Sequence, residues 1–197
     1  MSGDVATRTL TGAALEAAIP DLARLRVTVF AEFPYLYDGD DAYEVRYLET
    51  YRQSRGAIVV GAYDGEHLVG AATGTPMLEH EAEFAAAFDG LGYDLETLFY
   101  CGESVLLPEY RGHGIGHAFF DAREAHARSL GATHCCFCAV VRPENHPARP
   151  AGYRPLDAFW EKRGYRRLDG VTAKYCWKDT GEEQESAKVM QFWLRAL

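Results

Sequence analysis

The chain has 197 residues, 48% of them hydrophobic and 25% charged, with a formal net charge of −9 at pH 7. This size and composition are typical of one globular domain with a well-buried core, and we expect a single domain over residues 1–197. No apolar run approaches the roughly 20 residues that a membrane span requires. Nucleic acid binds basic surfaces, so an acidic chain is a poor ligand for it, whereas the negative charge favours a cationic or amine partner.

The cysteines and the first residues bear on location. Cys135, Cys136 and Cys138 lie in one apolar extended run, where alternation sends Cys135 to one face and the other two to the opposite face. No second Cys or His pair completes a zinc site, so we expect buried thiols and no metal. Residues 1–4 show no basic segment leading into an apolar core, so we expect no secretory signal. An odd number of cysteines fits a reducing, cytoplasmic environment.

Hydrophobic periodicity predicts the order of helices and strands. The first elements are a strand at 7–10, a helix that begins at 20–21 and ends before Pro34, and a helix from 42 to about 54. The later ones are strands at 57–63 and 68–76, a helix or ordered excursion at 79–88, a strand at 97–107, a helix at 115–130, a strand at 133–141, an irregular loop at 143–155, and strands at 171–177 and 187–195. Hairpins followed by a strand–helix–strand crossover predict a mixed α/β sandwich around a central sheet.

A glycine-rich turn separates the strand that ends at Leu107 from the helix that begins at Ile115. Its glycines are Gly112, Gly114 and Gly116. Glycine permits positive φ and lets a ligand approach the backbone closely. The first N–H groups of the following helix and the positive end of its dipole suit a phosphate. The turn therefore predicts an anionic cofactor; the alternative is a turn whose glycines serve only helix packing.

The spacing Arg111-x-x-Gly114-x-Gly116 differs from a P-loop and from a dinucleotide fingerprint. It resembles the acyl-CoA-binding motif Q/R-x-x-G-x-G/A of the GNAT superfamily of N-acetyltransferases. About 45 residues downstream, the segment 158–165 is similar to that family's second signature, a short helix that ends in x-Lys-x-Gly-Phe/Tyr. In element order the resemblance spans roughly residues 7–177.

The resemblance implies a fold and a cofactor. The fold is α/β with a central, mostly antiparallel sheet, helices on both faces, and one parallel strand pair that splays apart where the cofactor enters. The cofactor is acetyl-CoA, with its pantetheine arm on main-chain groups of Leu106 and Leu107 and a further contact at Asn145. The loop after Asn145 is longer than usual and is expected to border the acceptor pocket or cover the cofactor. The pyrophosphate is assigned to the backbone amides of Arg111, Gly112, His113, Gly114, Ile115 and Gly116.

Acyl transfer to an amine requires a base for the amine, stabilisation of the oxyanion, and in some cases an acid for the thiolate. Glu103 is the candidate base because it lies in an otherwise apolar strand, where burial makes a carboxylate more basic; alternatively it only makes a hydrogen bond across the sheet. In this family a tyrosine that acts as the acid often stands where this chain has Trp160, whose indole N–H is no useful proton donor. Tyr153 is the candidate substitute, or else an exposed loop aromatic.

The resemblance places the segment between the first two helices over the acceptor groove. The candidate acceptor-binding residues are Phe33, Tyr35, Tyr37 and Asp38, with Asp40 close by. Aromatic faces and carboxylates suit an ammonium or guanidinium group. The alternative is an acidic helix cap with packed aromatic side chains.

These observations predict a cytoplasmic, acetyl-CoA-dependent N-acyltransferase that acetylates a primary amine of a small molecule or peptide by direct attack in a ternary complex. One alternative is a non-catalytic acyl-CoA-binding sensor or regulatory module, which Trp160 keeps open. Another is an amidase- or ligase-like enzyme that uses a different nucleotide. A homodimer is a further expectation. The apolar C-terminal residues Val189, Phe192, Trp193 and Leu194 either mediate it or form a core strand.

Overall fold

The computed structural model describes residues 5–197, except for the side chain of Asp41. The first four residues of the predicted domain lie outside this description. The strands are β1 Ala6–Leu10, β2 Ile58–Asp64, β3 His67–Pro76, β4 Leu98–Leu106, β5 His134–Val140, β6 Arg166–Trp177 and β7 Ser186–Ala196. The α-helices are α1 Gly12–Phe30, α2 Asp41–Gln53, α3 Ala82–Ala86, α4 Ile115–Ser129 and α5 Asp157–Lys162. Short 3₁₀ turns are Met77–Glu79, Leu95–Thr97 and Pro108–Tyr110.

The seven strands form one sheet in the order β1-β2-β3-β4-β5-β7-β6. Every neighbouring pair is antiparallel except β4 and β5, which are joined by the crossover helix α4. The predicted mixed α/β fold with a mostly antiparallel sheet is therefore confirmed. Within residues 5–197, the helices are too short or too polar to cross a bilayer.

The parallel pair separates along its length. β4 and β5 are paired only at Leu98–His134, Phe99–Cys135 and Tyr100–Cys136. Beyond this point β4 continues along β3, while β5 continues along β7. The two strands therefore open a gap at their carboxyl ends, as the resemblance implied.

Alternation along the strands divides the core into two layers. In β5, Cys135 and Phe137 face the layer covered by α4 and α5, whereas Cys136 and Cys138 face the layer covered by α1, α2 and α3. The predicted split of the three cysteines between two faces is confirmed. All three thiols are buried, and the sheet separates Cys135 from Cys136 and Cys138.

The apolar C-terminal residues belong to the core. Phe192, Trp193 and Leu194 are buried in β7, which lies between β5 and β6, and of the four residues considered for a dimer contact only Val189 is exposed. The core-strand alternative is therefore the one that the structure shows. An interior strand has both edges paired, so its apolar residues are needed on both faces of the sheet.

Three predicted boundaries differ from the structure. The first helix begins at Gly12 rather than at Pro20, which lies inside it. Leu15, Ile19 and Leu22 are buried at helical spacing, and this packing outweighs the one hydrogen bond that proline removes. β6 begins at Arg166 rather than 171, with a register irregularity before Thr172. The segment 79–88, whose structure the sequence left open, consists of a 3₁₀ turn followed by α3.

Phe192→Ala should lower the free energy of unfolding by about 3–5 kcal/mol, because the ring is fully buried against Phe84 and Phe88 and its removal leaves a cavity. Denaturant unfolding followed by circular dichroism measures this. Val189→Ala is the matched control on the same strand; since Val189 is 41% exposed, it should cost less than about 1 kcal/mol. Similar losses for both would contradict the layered core.

Candidate functional site

A groove of about 1260 Å³ opens where β4 and β5 separate. It is bounded by both strands, by the glycine turn before α4, by the end of α1 and the segment after it, and by the loop between β5 and α5. The sequence-predicted cofactor turn, candidate base and inserted loop therefore meet around one cavity.

The glycine turn offers unpaired N–H groups to this groove. Gly112 and Gly114 have φ of 81° and 84°, and Gly114 is the N-cap of α4. Among residues 5–197, the amides of Gly112, His113, Gly114, Ile115 and Gly116 have no acceptor, whereas the next amide, that of His117, donates to the Gly114 carbonyl at 2.9 Å. A Cβ placed on Gly112 or Gly114 would meet no atom within 4 Å. Bare amides that face open space fit a diphosphate such as that of coenzyme A.

Arg111 has a different role from the rest of the turn. Its backbone N–H donates to the Pro108 carbonyl at 3.1 Å, so this predicted amide is already used. Its side chain donates to the Leu106 carbonyl at 3.0 Å and pairs with Glu32 at 2.9 Å. Both charged side chains line the groove. Arg111 therefore ties the turn to the end of α1.

Of the two leucines assigned to the pantetheine arm, only Leu106 presents a free main-chain group. The N–H of Leu107 donates to Val69 in β3 at 3.0 Å, and its carbonyl accepts from Tyr110 at 3.1 Å, so both main-chain groups of Leu107 already have partners. Because Leu107 and Val69 are hydrogen-bonded, the adjacent pair of Leu106 and Gly70 is of the non-hydrogen-bonded type. The Leu106 N–H consequently points away from β3, toward the gap.

A β-bulge in β4 controls which way Glu103 faces. Two residues of β4, Gly102 and Glu103, lie opposite the single residue Thr73 of β3. Cys101 faces the layer under α4, whereas Val105 faces the layer under α1 and α2. Strict alternation would put both on one face. The extra residue therefore turns Glu103 toward α1 and α2.

Glu103 belongs to a buried ionic cluster. Arg26 of α1 pairs with both Glu103 and the fully buried Glu44 of α2. Tyr47 donates to Glu103 at 3.2 Å, and its hydroxyl lies 3.0 Å from that of Tyr51. Burial alone would lower the pKa of Arg26, but the carboxylates outweigh burial and raise it. The cluster places two carboxylates around one guanidinium, and of these three groups Glu103 lines the groove.

Tyr153 lies in the loop between β5 and α5 and lines the groove. Its ring packs edge-on against Phe33 at 4.7 Å, and the Arg149 guanidinium lies 5.1 Å from its centre. Burial raises the pKa of the Tyr153 hydroxyl, so the hydroxyl keeps its proton at neutral pH. Trp160 also lines the groove, but it packs against Phe137 and Trp193.

Tyr35 is held in the groove by a second buried ionic cluster. Arg142 donates to the carbonyls of Pro34 and Tyr35 and forms a two-point ion pair with Asp179. Lys188 approaches the same carboxylate at 3.2 Å. Burial raises the pKa of Tyr35, so this residue presents a neutral hydroxyl. The segment after α1 is thereby fixed to the connection between β6 and β7.

The other predicted site residues do not line the groove. Asp38 pairs with Lys178, and Tyr37 forms a bridge with Asp179. Asp40 accepts from the Tyr43 amide at 2.8 Å and caps α2. In the structure Asp40 is therefore a helix cap, and the Asp38 carboxylate has its partner outside the groove. Asn145 and the side chain of His113 are exposed outside it.

Sequence reasoning missed Arg26, Glu44, Tyr47, Arg123 and Arg142. Arg26 had a signal, because it lies on the apolar face of α1 between Leu22 and Phe30, where an unpaired charge is unfavourable. Glu44 and Tyr47 are three residues apart and share a helix face. Their common partner Glu103 is distant in the chain, so only the tertiary structure identifies it.

The family profile described as Acetyltransferase (GNAT) family matches residues 22–165. The chain belongs to this family. Its general activity is accordingly acyl transfer. No curated protein sequence matches this GNAT chain significantly.

Solved structures with the same fold are distant in sequence. A ribosomal-protein-alanine N-acetyltransferase of Brucella melitensis is 17% identical, with a TM-score of 0.64 over 98% of this chain and 99% of that one. An acetyltransferase of Streptococcus agalactiae is 16% identical, with a TM-score of 0.59 and 98% of each chain covered. A Salmonella typhimurium protein, solved with its cofactor acetyl-CoA, is 13% identical, with a TM-score of 0.61 over 99% and 95% of the two chains. At this identity the likeness concerns the fold.

Asp179→Asn should cost about 3 kcal/mol of unfolding free energy at pH 7, because it breaks a buried ion pair. Burial alone would raise the pKa of Asp179, but hydrogen bonds and charge from Arg142 and Lys188 outweigh it and lower the pKa. Because the pKa of Asp179 is lower in the folded state than its unfolded value of about 3.9, the ionised carboxylate stabilises the fold above that pH. This stabilisation is lost as the pH falls through the lowered pKa. The difference between wild type and variant should therefore shrink below about pH 4.

Urea unfolding at pH 7 and pH 3 measures this difference. Asp38→Asn is the control, since it removes an exposed pair with Lys178 in the same region and should cost little at either pH. If Asp179→Asn lost as much unfolding free energy at pH 3 as at pH 7, the role of the ionised Asp179 carboxylate would be contradicted.

Proposed function

We propose that the protein transfers an acetyl group from acetyl-CoA to a primary amine of a small molecule or peptide, by direct attack in a ternary complex. One observation carries this proposal: a single groove is lined both by the glycine turn with its unpaired amides and by the Glu103 carboxylate of the buried ionic cluster. The first suits an anionic donor and the second a cationic acceptor. Binding both in one cavity brings the reacting groups together.

Acetyl-CoA supplies an acyl group activated as a thioester. The amides of residues 112–116 would hold its diphosphate, and the Leu106 N–H would pair with its amide arm. These are main-chain groups of a rigid turn and strand, so they are oriented before the ligand arrives. Arg149 and Arg154, which line the groove from the inserted loop, add positive charge on the opposite side.

The acceptor site is formed by Glu103 and nearby aromatic residues. Glu103 Oε1 lies at salt-bridge distance from Arg26 but accepts no well-aligned hydrogen bond among residues 5–197. Because the Glu103 carboxylate lines the groove, it can accept a further hydrogen bond from an ammonium group that enters there. The rings of Phe33 and Tyr35 border the same groove and suit the positive charge of the amine.

Glu103 would accept the proton that the ammonium loses, directly or through a water molecule. The freed nitrogen then forms a bond to the thioester carbonyl carbon, the carbon–sulfur bond breaks, and the nitrogen loses its second proton to solvent, which leaves a neutral amide. Tyr153 would give its hydroxyl proton to the departing sulfur and recover a proton from solvent. Its raised pKa keeps this hydroxyl protonated at neutral pH. The negative charge that develops on the acyl oxygen requires donors in the gap, and the Leu106 N–H points there.

Gly114→Val should abolish acetyl-CoA binding measured by calorimetry, because a branched side chain would occupy the open space in front of the amides and strain the positive φ. Gly131→Val is a matched control: Gly131 also has a positive φ, of 82°, and open surroundings, but it lies beyond the other end of α4. Both variants should lose similar stability, roughly 1–2 kcal/mol. Equal affinities for acetyl-CoA in the two variants would overturn the assignment of the turn.

Glu103→Gln should reduce kcat by roughly 10²- to 10⁴-fold, the usual contribution of a general base, with little change in the KM for acetyl-CoA. The assay follows release of the free thiol of CoA with a panel of primary amines. Glu144→Gln is the control, since Glu144 also lines the groove but lies outside the Arg26 cluster. If wild-type protein binds acetyl-CoA yet turns over no amine in the panel, the sensor alternative replaces the enzyme.

A further inference from the structure

Arg123 is a buried cation without an anionic partner. Its side chain is 1% exposed, although it carries a full charge on the inner face of α4. Arginine is almost never fully buried unless it is paired. Yet among residues 5–197 no carboxylate lies within salt-bridge distance of Arg123, whereas Arg26, Arg142 and Arg163 all have one. Such a charge is costly to bury, so its contacts indicate what it does.

The hydrogen bonds of the Arg123 guanidinium all go to residues at the β-bulge, and the group also lies 4.6 Å from the centre of the Phe120 ring. Nη1 donates to the carbonyl of Thr73 in β3 and to the carbonyl of Glu103 in β4, each at 3.1 Å. Nη2 donates to the Ser104 hydroxyl at 2.9 Å. One nitrogen thus bridges the two strands across the position where β4 contains its extra residue.

The bulge decides whether Glu103 can take part in the site. A one-residue slip of a strand moves its side chains to the opposite face of the sheet. Without the bulge, Glu103 would face α4 together with Cys101, away from Arg26 and the acceptor side of the groove. Irregular backbone also leaves carbonyls outside the regular ladder, and buried carbonyls need donors. Arg123 supplies these donors from the other face of the sheet.

We infer that Arg123 is a positioning residue that fixes the Gly102–Glu103 bulge and thereby holds Glu103 on the acceptor side of the sheet. This inference rests on the proposed function for the role of Glu103, but not for the geometry of the bulge. The ionic hydrogen bonds of a guanidinium suit the task because they reach two carbonyls and a hydroxyl at once. Arg123 acts through Glu103 and need not touch the substrate.

A double-mutant cycle in kcat tests the functional part. Arg123→Gln should lower kcat by roughly 10²-fold, as expected when a catalytic group is misplaced by about 1 Å, with the KM for acetyl-CoA little changed. In a Glu103→Gln background the same substitution should have almost no further effect. Arg123→Lys keeps the positive charge but has fewer hydrogen-bond donors, so its kcat should lie between those of the wild type and Arg123→Gln.

Arg163→Gln is the matched control, because it also removes a largely buried arginine, one that pairs with Glu124 away from the bulge. Its effect on kcat should multiply independently with that of Glu103→Gln. If Arg123→Gln lowered kcat equally in both backgrounds, the guanidinium would act directly on charge in the groove, and the positioning role would be overturned.

Amide hydrogen exchange at Glu103 and Ser104, measured without any substrate, tests the structural part. Arg123→Gln should speed exchange at these two amides by at least tenfold, whereas Arg163→Gln should leave them unchanged. If Glu103→Gln proved fully active, the proposed base would be wrong, but the exchange measurement would still decide on the bulge. Unchanged exchange in Arg123→Gln would overturn the inference. If that variant failed to fold, Arg123→Lys would take its place under the same criteria.

Discussion

The separation of β4 from β5 is the constraint on which the site depends. After Tyr100 and Cys136 the two strands no longer pair, so main-chain groups of β4 that would complete the ladder are left facing a gap. Buried backbone groups require partners. Part of this requirement is met within the chain, since Arg111 takes the Leu106 carbonyl and Arg123 takes the Glu103 carbonyl. The remaining main-chain groups of β4 are free to hydrogen-bond a ligand that carries amide groups, such as the pantetheine arm of coenzyme A.

Buried charge organises the acceptor side of this gap. One cluster joins α1, α2 and β4 through Arg26, Glu44 and Glu103. Another joins the segment after α1 to the connection between β6 and β7 through Arg142 and Asp179. Each guanidinium also replaces water around groups that would otherwise lack donors, which is the condition under which buried ion pairs persist. The two clusters therefore fix elements that are distant in sequence around one groove.

Most of the fold was predictable because its signals are local. Alternation placed the strands and the cysteine faces correctly, and the glycines identified the turn before α4. Errors arose where packing overrode a local rule. α1 continues through Pro20 because the burial of its leucines stabilises the longer helix. Of the residues predicted to bind the acceptor, Phe33 and Tyr35 line the groove. Asp38, by contrast, is paired with Lys178, and a carboxylate in a loop gives no sign in the sequence of which neighbour it will meet.

The sequence by itself determined the glycine turn and the anion that it suits, because a tight turn and a helix N-terminus are built from consecutive residues. It also determined the order of elements, and hence the family. Only the tertiary structure decided that Glu103 faces Arg26 and Glu44. That orientation depends on the extra residue of β4 opposite β3 and on Arg123 of α4. Strand register and the pairing of distant charges are properties of neighbours in space, so no local pattern encodes them.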